Sequence, residues 1–264
     1  MAFVQVSHYA KSMRREVTFS AVLPRIDEED TGDSGSAKPM KSLYLLHGYG
    51  GNHTDWIRFS RINELADRYR LAVFMPSGEN RFYLDDEEKD ERLGEYTGKE
   101  LVLFTRQMFP LSREREDTWI GGLSMGGYGA IRNGLKYVER FGRIIALSSA
   151  LLPYEIANIA PDYHNGIAGY AYYRNVFGDL DRLIGSDKDP ETLIASLKAN
   201  HSDIPDIYMA CGTEDFLLEP NRRFHRFLEQ EKIEHVYDER PGDHNWDFWN
   251  ATIRDALAHA DSGV

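Results

Sequence analysis

Short apolar runs alternate with stretches of helical periodicity along most of this chain, and that alternation restricts the fold more than any other feature. Residues 42–46, 71–75, 144–147 and 207–211 are continuous and apolar, the pattern of strands covered on both faces. Between them, Ile62, Leu65, Ala66 and Tyr69 share one helix face, and 99–109, 128–138, 221–231 and 246–260 also have helical spacing. Asp189-Pro190 starts a further helix, with the aspartate as N-cap and proline in the first turn. Residues 3–6 and 16–23 alternate like strands, and 234–238 reads as the last strand. Strands alternating with helices imply an α/β fold, a mostly parallel central sheet with helices on both faces. Nothing resembles an interdomain linker, so the expectation is one domain over residues 1–264. The rhythm breaks at about 151–180, which reads as a short inserted segment. Residues 79–97, with the charge run 85–91, read as an irregular exposed loop, and the acidic, turn-rich stretch 27–36 as a solvated hairpin loop.

Composition narrows the classes of partner. Forty-three acids against 31 lysines and arginines leave a formal charge of −12, which argues against nucleic acid and against anionic membrane surfaces. A single cysteine, Cys211, rules out an intramolecular disulfide framework and any multi-cysteine metal site, and it reads as a buried strand residue. The first ten residues lack the apolar core of a signal peptide, and no run approaches membrane-spanning length, so the expected location is cytoplasmic. Neither G-x-G-x-x-G after a first strand nor G-x-x-x-x-G-K-[ST] is present. No cofactor and no metal are expected.

The chemistry centres on Gly122-Leu123-Ser124-Met125-Gly126, a G-x-S-x-G pattern between a strand-like run and a helical one. A strand turning sharply into a helix leaves no room for side chains two positions before and two after the apex, hence the two glycines. A serine hydroxyl at that apex needs a base within hydrogen-bond reach, itself oriented by a third group. In this architecture the partners follow later strands in the order acid, then histidine. Past the strand at 207–211 comes Gly212-Thr213-Glu214-Asp215, and past the last strand comes a loop presenting His244. Both lie at carboxyl ends of strands, where open α/β sheets bind ligands. Asp215 is preferred for the acid, with Glu214 second and Asp238 and Asp243 as further competitors. An oxyanion hole needs backbone N–H donors. Met125 supplies one, at the start of the helix, and the glycine-rich loop His47-Gly48-Tyr49-Gly50-Gly51 supplies the other, with Tyr49 chosen and Gly48 and Gly50 as alternatives. Because the imidazole must be neutral to accept a proton, activity should fall in acid.

Three blocks carry a family resemblance. Leu46-His47-Gly48-Tyr49-Gly50-Gly51-Asn52-His53-Thr54-Asp55-Trp56, the elbow through Gly127, and His244-Asn245-Trp246-Asp247-Phe248-Trp249 resemble the esterase D group of α/β-hydrolases. That group includes bacterial tributyrin-type acetylesterases and feruloyl and acetylxylan esterases. The resemblance runs from about residue 44 to the C-terminal helix. It implies an α/β-hydrolase fold and a serine carboxylesterase with Ser124, Asp215 and His244 as triad, acting on a short-chain acyl ester of a small molecule or carbohydrate. S-formylglutathione hydrolases of the same group usually carry a cysteine after His-Gly, where this chain has Tyr49. Gly48, Gly50, Trp56 and Trp246 are expected in the substrate site. The tyrosine-rich stretch 154–177 lies where this fold inserts a cap; burial of a long loop or a homo-oligomer interface are the rival readings of the same aromatics.

Overall fold

The computed structural model describes residues 1–25, 38–86 and 88–262; the acidic stretch 27–36 lies outside the described residues. The chain opens with a long antiparallel hairpin, β1 (Ala2–Ala10) and β2 (Arg15–Leu23), followed by β3 (Lys41–Leu46), α1 (Asp55–Phe59), α2 (Ile62–Arg68) and β4 (Leu71–Pro76). A two-stranded ribbon, β5 (Asp85–Asp86) and β6 (Glu91–Arg92), leads through α3 (Leu93–Glu95) and a π-turn into α4 (Leu101–Met108). Then come β7 (Thr118–Leu123), α5 (Met125–Lys136), β8 (Arg143–Leu147), α6 (Pro153–Ile156), α7 (Tyr170–Phe177) and α8 (Pro190–Ala199). The chain closes with β9 (Asp206–Gly212), α9 (Leu218–Gln230), β10 (His235–Arg240) and α10 (Trp246–Ser262).

Among the described residues the main sheet has eight strands in the order β1-β2-β4-β3-β7-β8-β9-β10. Only the pairings of β2 with β1 and β4 are antiparallel; the other five are parallel. Period-two alternation divides each central strand between two cores. Leu43, Leu45 and Trp119 pack on one face with Trp56, Ile62, Leu65, Ile253 and Leu257 from α1, α2 and α10. Tyr44, Leu46 and Ile120 pack on the other with Val102, Tyr128, Ile131, Phe177, Ile194 and Phe224 from α4, α5, α7, α8 and α9. Both faces are therefore covered, which explains why these strands read as unbroken apolar runs.

Strand order positions the site. The chain steps from β3 outward to β4, then returns to the other flank of β3 as β7, so β3 and β7 form a switch point whose carboxyl ends open a crevice. Leu46 pairs with Gly122 there, which brings the loop after β3 beside the elbow after β7.

The stretch 79–97 departs from the exposed loop expected of it. Phe82, Tyr83, Leu84, Leu93 and Tyr96 are buried in the core under α5. Arg81 ties the ribbon by pairing with both Asp86 and Glu91. The dense charge misled the reading: those side chains neutralise one another along one edge while the aromatics between them point inward. Among the described residues no helix is long and apolar enough to cross a membrane.

Candidate active site

The elbow is built by close contact. A Cβ added to Gly126 would lie 2.5 Å from the Leu46 carbonyl oxygen and 2.6 Å from that of His47. One added to Gly122 would lie 2.4 Å from the Gly126 carbonyl. Both obstacles are backbone, so neither can step aside. Between them Ser124 is held at φ 54°, ψ −119°, a conformation costly for a residue with a side chain. Three backbone bonds keep it there: its N–H donates to Leu147 at 2.8 Å, and its carbonyl accepts from Tyr128 at 3.1 Å and Ala150 at 2.9 Å. The hydroxyl is thereby presented at the mouth of the crevice, at the N-terminus of α5.

Later strands deliver the partners. His244, in the loop between β10 and α10, places Nε2 3.0 Å from Ser124 Oγ. Its Nδ1 lies 2.9 and 3.0 Å from the two carboxylate oxygens of Asp215, past the end of β9. Phe216 lies against one side of the imidazole at 4.6 Å between centroids, and the Trp249 ring meets it edge-on at 4.9 Å. Asp215 is 4% exposed. Burial pushes its carboxyl up, but hydrogen bonds from His244, the Leu217 N–H and Ser148 outweigh that and hold it below the usual carboxylate range. The competing acids are engaged elsewhere. Glu214 accepts from the Gly242 N–H at 2.5 Å, Asp238 pairs with Arg240 and accepts from Tyr208, and Asp243 accepts from the His244 backbone.

The loop after β3 faces the serine from the other side. Burial pushes the His47 imidazole pKa down; Nδ1 bonds the Gly48 carbonyl at 2.7 Å and Nε2 accepts from the Gly78 N–H at 2.7 Å. That second bond fixes the tautomer with its proton on Nδ1. Gly48 is buried against Leu123 and Ser124, and a Cβ there would lie 2.7 Å from Leu123 Cδ1, so that side chain would have to shift. Gly50, at φ 77°, donates its N–H to Asn80 Oδ1 at 2.6 Å, so it is not available to an oxyanion. Among the described residues no protein acceptor takes the N–H of Tyr49 or Met125. Cys211 is buried in β9, and burial pushes its thiol up to about 12.

A pocket of about 230 Å³ opens beside Ser124 and Met125. Tyr49 and Phe216 stand at it, and Glu155, Tyr163, Tyr172 and Tyr173 line it from the 151–180 segment. Trp56 and Trp246 do not line it. Trp56 is buried on the opposite face of the sheet, its indole N–H on the Leu46 carbonyl at 3.0 Å, and Trp246 meets it edge-on at 5.2 Å. They brace α1 against α10 beneath the site, because the apolar faces of those helices turn toward the sheet.

Sequence reasoning passed over four residues here. Ser148 follows β8, accepts from the Trp249 indole at 3.0 Å and supports Asp215. Asn80 follows β4 and links loops: its side chain holds Gly50, and its carbonyl accepts from the Tyr172 hydroxyl at 2.5 Å. Both stand past the end of a strand, a signal available in advance. Phe216 adjoins Asp215 in sequence. Glu155 carried no sequence signal.

Comparison with known proteins identifies the family. A family model described as "Putative esterase" matches residues 10–260. An acetyl esterase of Caldicellulosiruptor saccharolyticus is 54% identical over 259 residues, covering 97% of each chain. Among solved structures, the fluorophosphonate-binding serine hydrolase FphF of Staphylococcus aureus superposes with a TM-score of 0.87 at 26% identity, covering 98% of both chains. An S-formylglutathione hydrolase (FrmB) from the same organism does so at 0.85 and 26%, again over 98% of both.

Proposed function

The chain belongs to this esterase family and is a carboxylic ester hydrolase of the α/β-hydrolase fold, and we propose that it cleaves short-chain acyl esters through Ser124, His244 and Asp215. The observation that carries the reading is the unbroken chain of contacts from Ser124 Oγ through His244 to Asp215, opening on a pocket beside the Met125 and Tyr49 N–H groups. In the first step His244 Nε2 takes the hydroxyl proton as Oγ attacks the ester carbonyl carbon. The carbonyl π electrons move to oxygen, and the resulting oxyanion accepts from the Met125 and Tyr49 N–H groups. The electrons return, the C–O bond to the alcohol breaks, and His244 protonates the departing oxygen. Water then attacks the acyl-serine, giving its proton to His244, and the acid leaves as Ser124 recovers that proton. Asp215 keeps the imidazole proton on Nδ1 and stabilises the imidazolium.

An acyl group as small as acetyl fits a pocket of about 230 Å³, and the Caldicellulosiruptor relative is an acetyl esterase. Thioester hydrolysis is the second reading, favoured by the likeness to the S-formylglutathione hydrolase. We read the 151–180 segment as a cap, since three of its tyrosines and Glu155 line the pocket. The test is Ser124→Ala with a fluorophosphonate probe. Wild type should be labelled and should turn over 4-nitrophenyl acetate; the variant should do neither while its circular dichroism is unchanged. Hydrolysis retained by the variant would move the chemistry away from Ser124.

A further inference from the structure

One carboxylate in the pocket has no part in this mechanism. Glu155, on the short helix α6, lines the same cavity as Ser124 and is, among the described residues, its only charged lining residue. Apart from Ser124 and Met125, the rest of the lining is aromatic, aliphatic or amide, and among the described residues it includes no lysine, arginine or histidine. Among the described residues Glu155 has no cation and no hydrogen-bond donor as partner. Its surroundings are tyrosine: Tyr163 and Tyr173 share the wall with it, and Tyr173 Oη accepts from Asn165 Nδ2 at 2.7 Å, which leaves the phenol proton to give. The residue as a whole is exposed, yet the pocket walls around it push its carboxyl up.

We propose that Glu155 selects substrate by charge: it accepts hydrogen bonds from hydroxyl groups of a neutral polyhydroxy ester, an acetylated sugar being the simplest, and repels esters and thioesters that carry carboxylates. A carboxylate is an acceptor with two oxygens, suited to a pair of neighbouring hydroxyls. The tyrosine rings beside it supply flat apolar faces for the C–H side of a sugar ring. A substrate carboxylate in the same cavity meets like charge with nothing in the lining to offset it, inside a protein of formal charge −12. A glutathione thioester, with two carboxylates, falls on the rejected side. The assignment rests on the esterase reading above and chooses between its two forms.

The test compares matched neutral and anionic esters: 4-nitrophenyl butyrate with mono-4-nitrophenyl succinate, which charges the acyl side, and methyl 4-acetoxybenzoate with 4-acetoxybenzoate, which charges the alcohol side. In wild type kcat/KM should favour the neutral member of at least one pair by about tenfold. Glu155→Gln should bring that ratio to within about threefold of unity, and Glu155→Lys should invert it. For an acetylated methyl xyloside, Glu155→Ala should raise KM about fivefold. Ratios that stay at the wild-type value in both charge variants overturn the assignment while leaving the esterase reading in place. A wild-type protein inert towards all four esters overturns the esterase reading itself. Faster turnover of acetylcholine than of the xyloside by wild type would overturn the neutral-sugar half of the proposal.

Discussion

Replacing Asp215 by asparagine tests the proposed triad without changing its shape. The side chain is buried, and its two oxygens are not equivalent. Oδ1 accepts the Leu217 N–H at 2.8 Å, so in the variant the amide oxygen is drawn to that position. The NH2 then occupies the place of Oδ2, 2.9 Å from His244 Nδ1. Two N–H groups repel when they face each other, so with the amide oxygen engaged by Leu217 the balance shifts towards Nδ1 as acceptor and the imidazole proton on Nε2. Nε2 sits 3.0 Å from Ser124 Oγ, and a nitrogen that already holds a proton cannot take another from the serine. The reactive tautomer is disfavoured, and the imidazolium formed during attack loses its neighbouring charge. Together these effects should lower kcat/KM by a factor of about 10³–10⁴, or about 4–5.5 kcal/mol of transition-state stabilisation. The assay is hydrolysis of 4-nitrophenyl acetate at pH 7.5, with circular dichroism to show that the fold persists. A variant that keeps a tenth of wild-type activity would refute the tautomer argument and the role given to Asp215.

Two further outcomes follow from the supporting residues. Asn80→Ala removes the acceptor that holds the Gly50 N–H beside Tyr49. It should lower kcat about tenfold while KM changes less than about threefold, because a loosened oxyanion donor is felt in the transition state. Asn80→Asp should recover most of the loss, and a pure KM effect in steady-state kinetics would count against a positioning role. His47 gives a pH dependence of stability. Its folded-state pKa lies below the unfolded value of 6.5 because burial disfavours the charged ring, so the unfolded chain binds the proton more readily. Stability is therefore complete above about pH 6.5 and declines as pH falls below it, by up to about 1.4 kcal/mol per pH unit for this one group. His8, His53 and His225 are shifted the same way by burial and add to the same limb. Urea unfolding between pH 7 and 5 should give a shallower slope for His47→Asn than for wild type; equal slopes would show that His47 contributes nothing to it.

What the sequence displayed in advance depends on how local each signal is. The central strands were legible because burial on both faces requires an unbroken apolar run, and the runs at 42–46, 71–75, 144–147 and 207–211 show it. The loops that follow them were legible for the same reason: once a strand end is located, chemistry-bearing residues just past it are candidates. Ser124, Asp215 and His244 all stand past such ends, and the structure places His244 within 3.0 Å of both Ser124 and Asp215. The choice of Asp215 over Glu214 rested on one residue of spacing. The geometry behind it is a tight turn in which the Glu214 carboxylate is captured by the Gly242 N–H, while Asp215 is turned inward under His244.

Trp56, Trp246 and the stretch 79–97 were not legible, and the reason is shared. Each was read from what its residues are able to do, and each is decided by what a distant segment does to it. Trp56 and Trp246 are 190 positions apart yet touch, and their contact beneath the sheet consumes the surfaces that would have stacked on a substrate. Asp85 and Asp86 look solvated until Arg81, Arg132 and Lys136 close around them. The same logic works in reverse at Glu155. Among the described residues its side chain acquires no partner from any distant segment, although aromatic rings of the cap segment line the same pocket. Because the residue is exposed, water reaches that carboxylate, and under the proposal above the hydroxyl groups of a bound substrate replace that water.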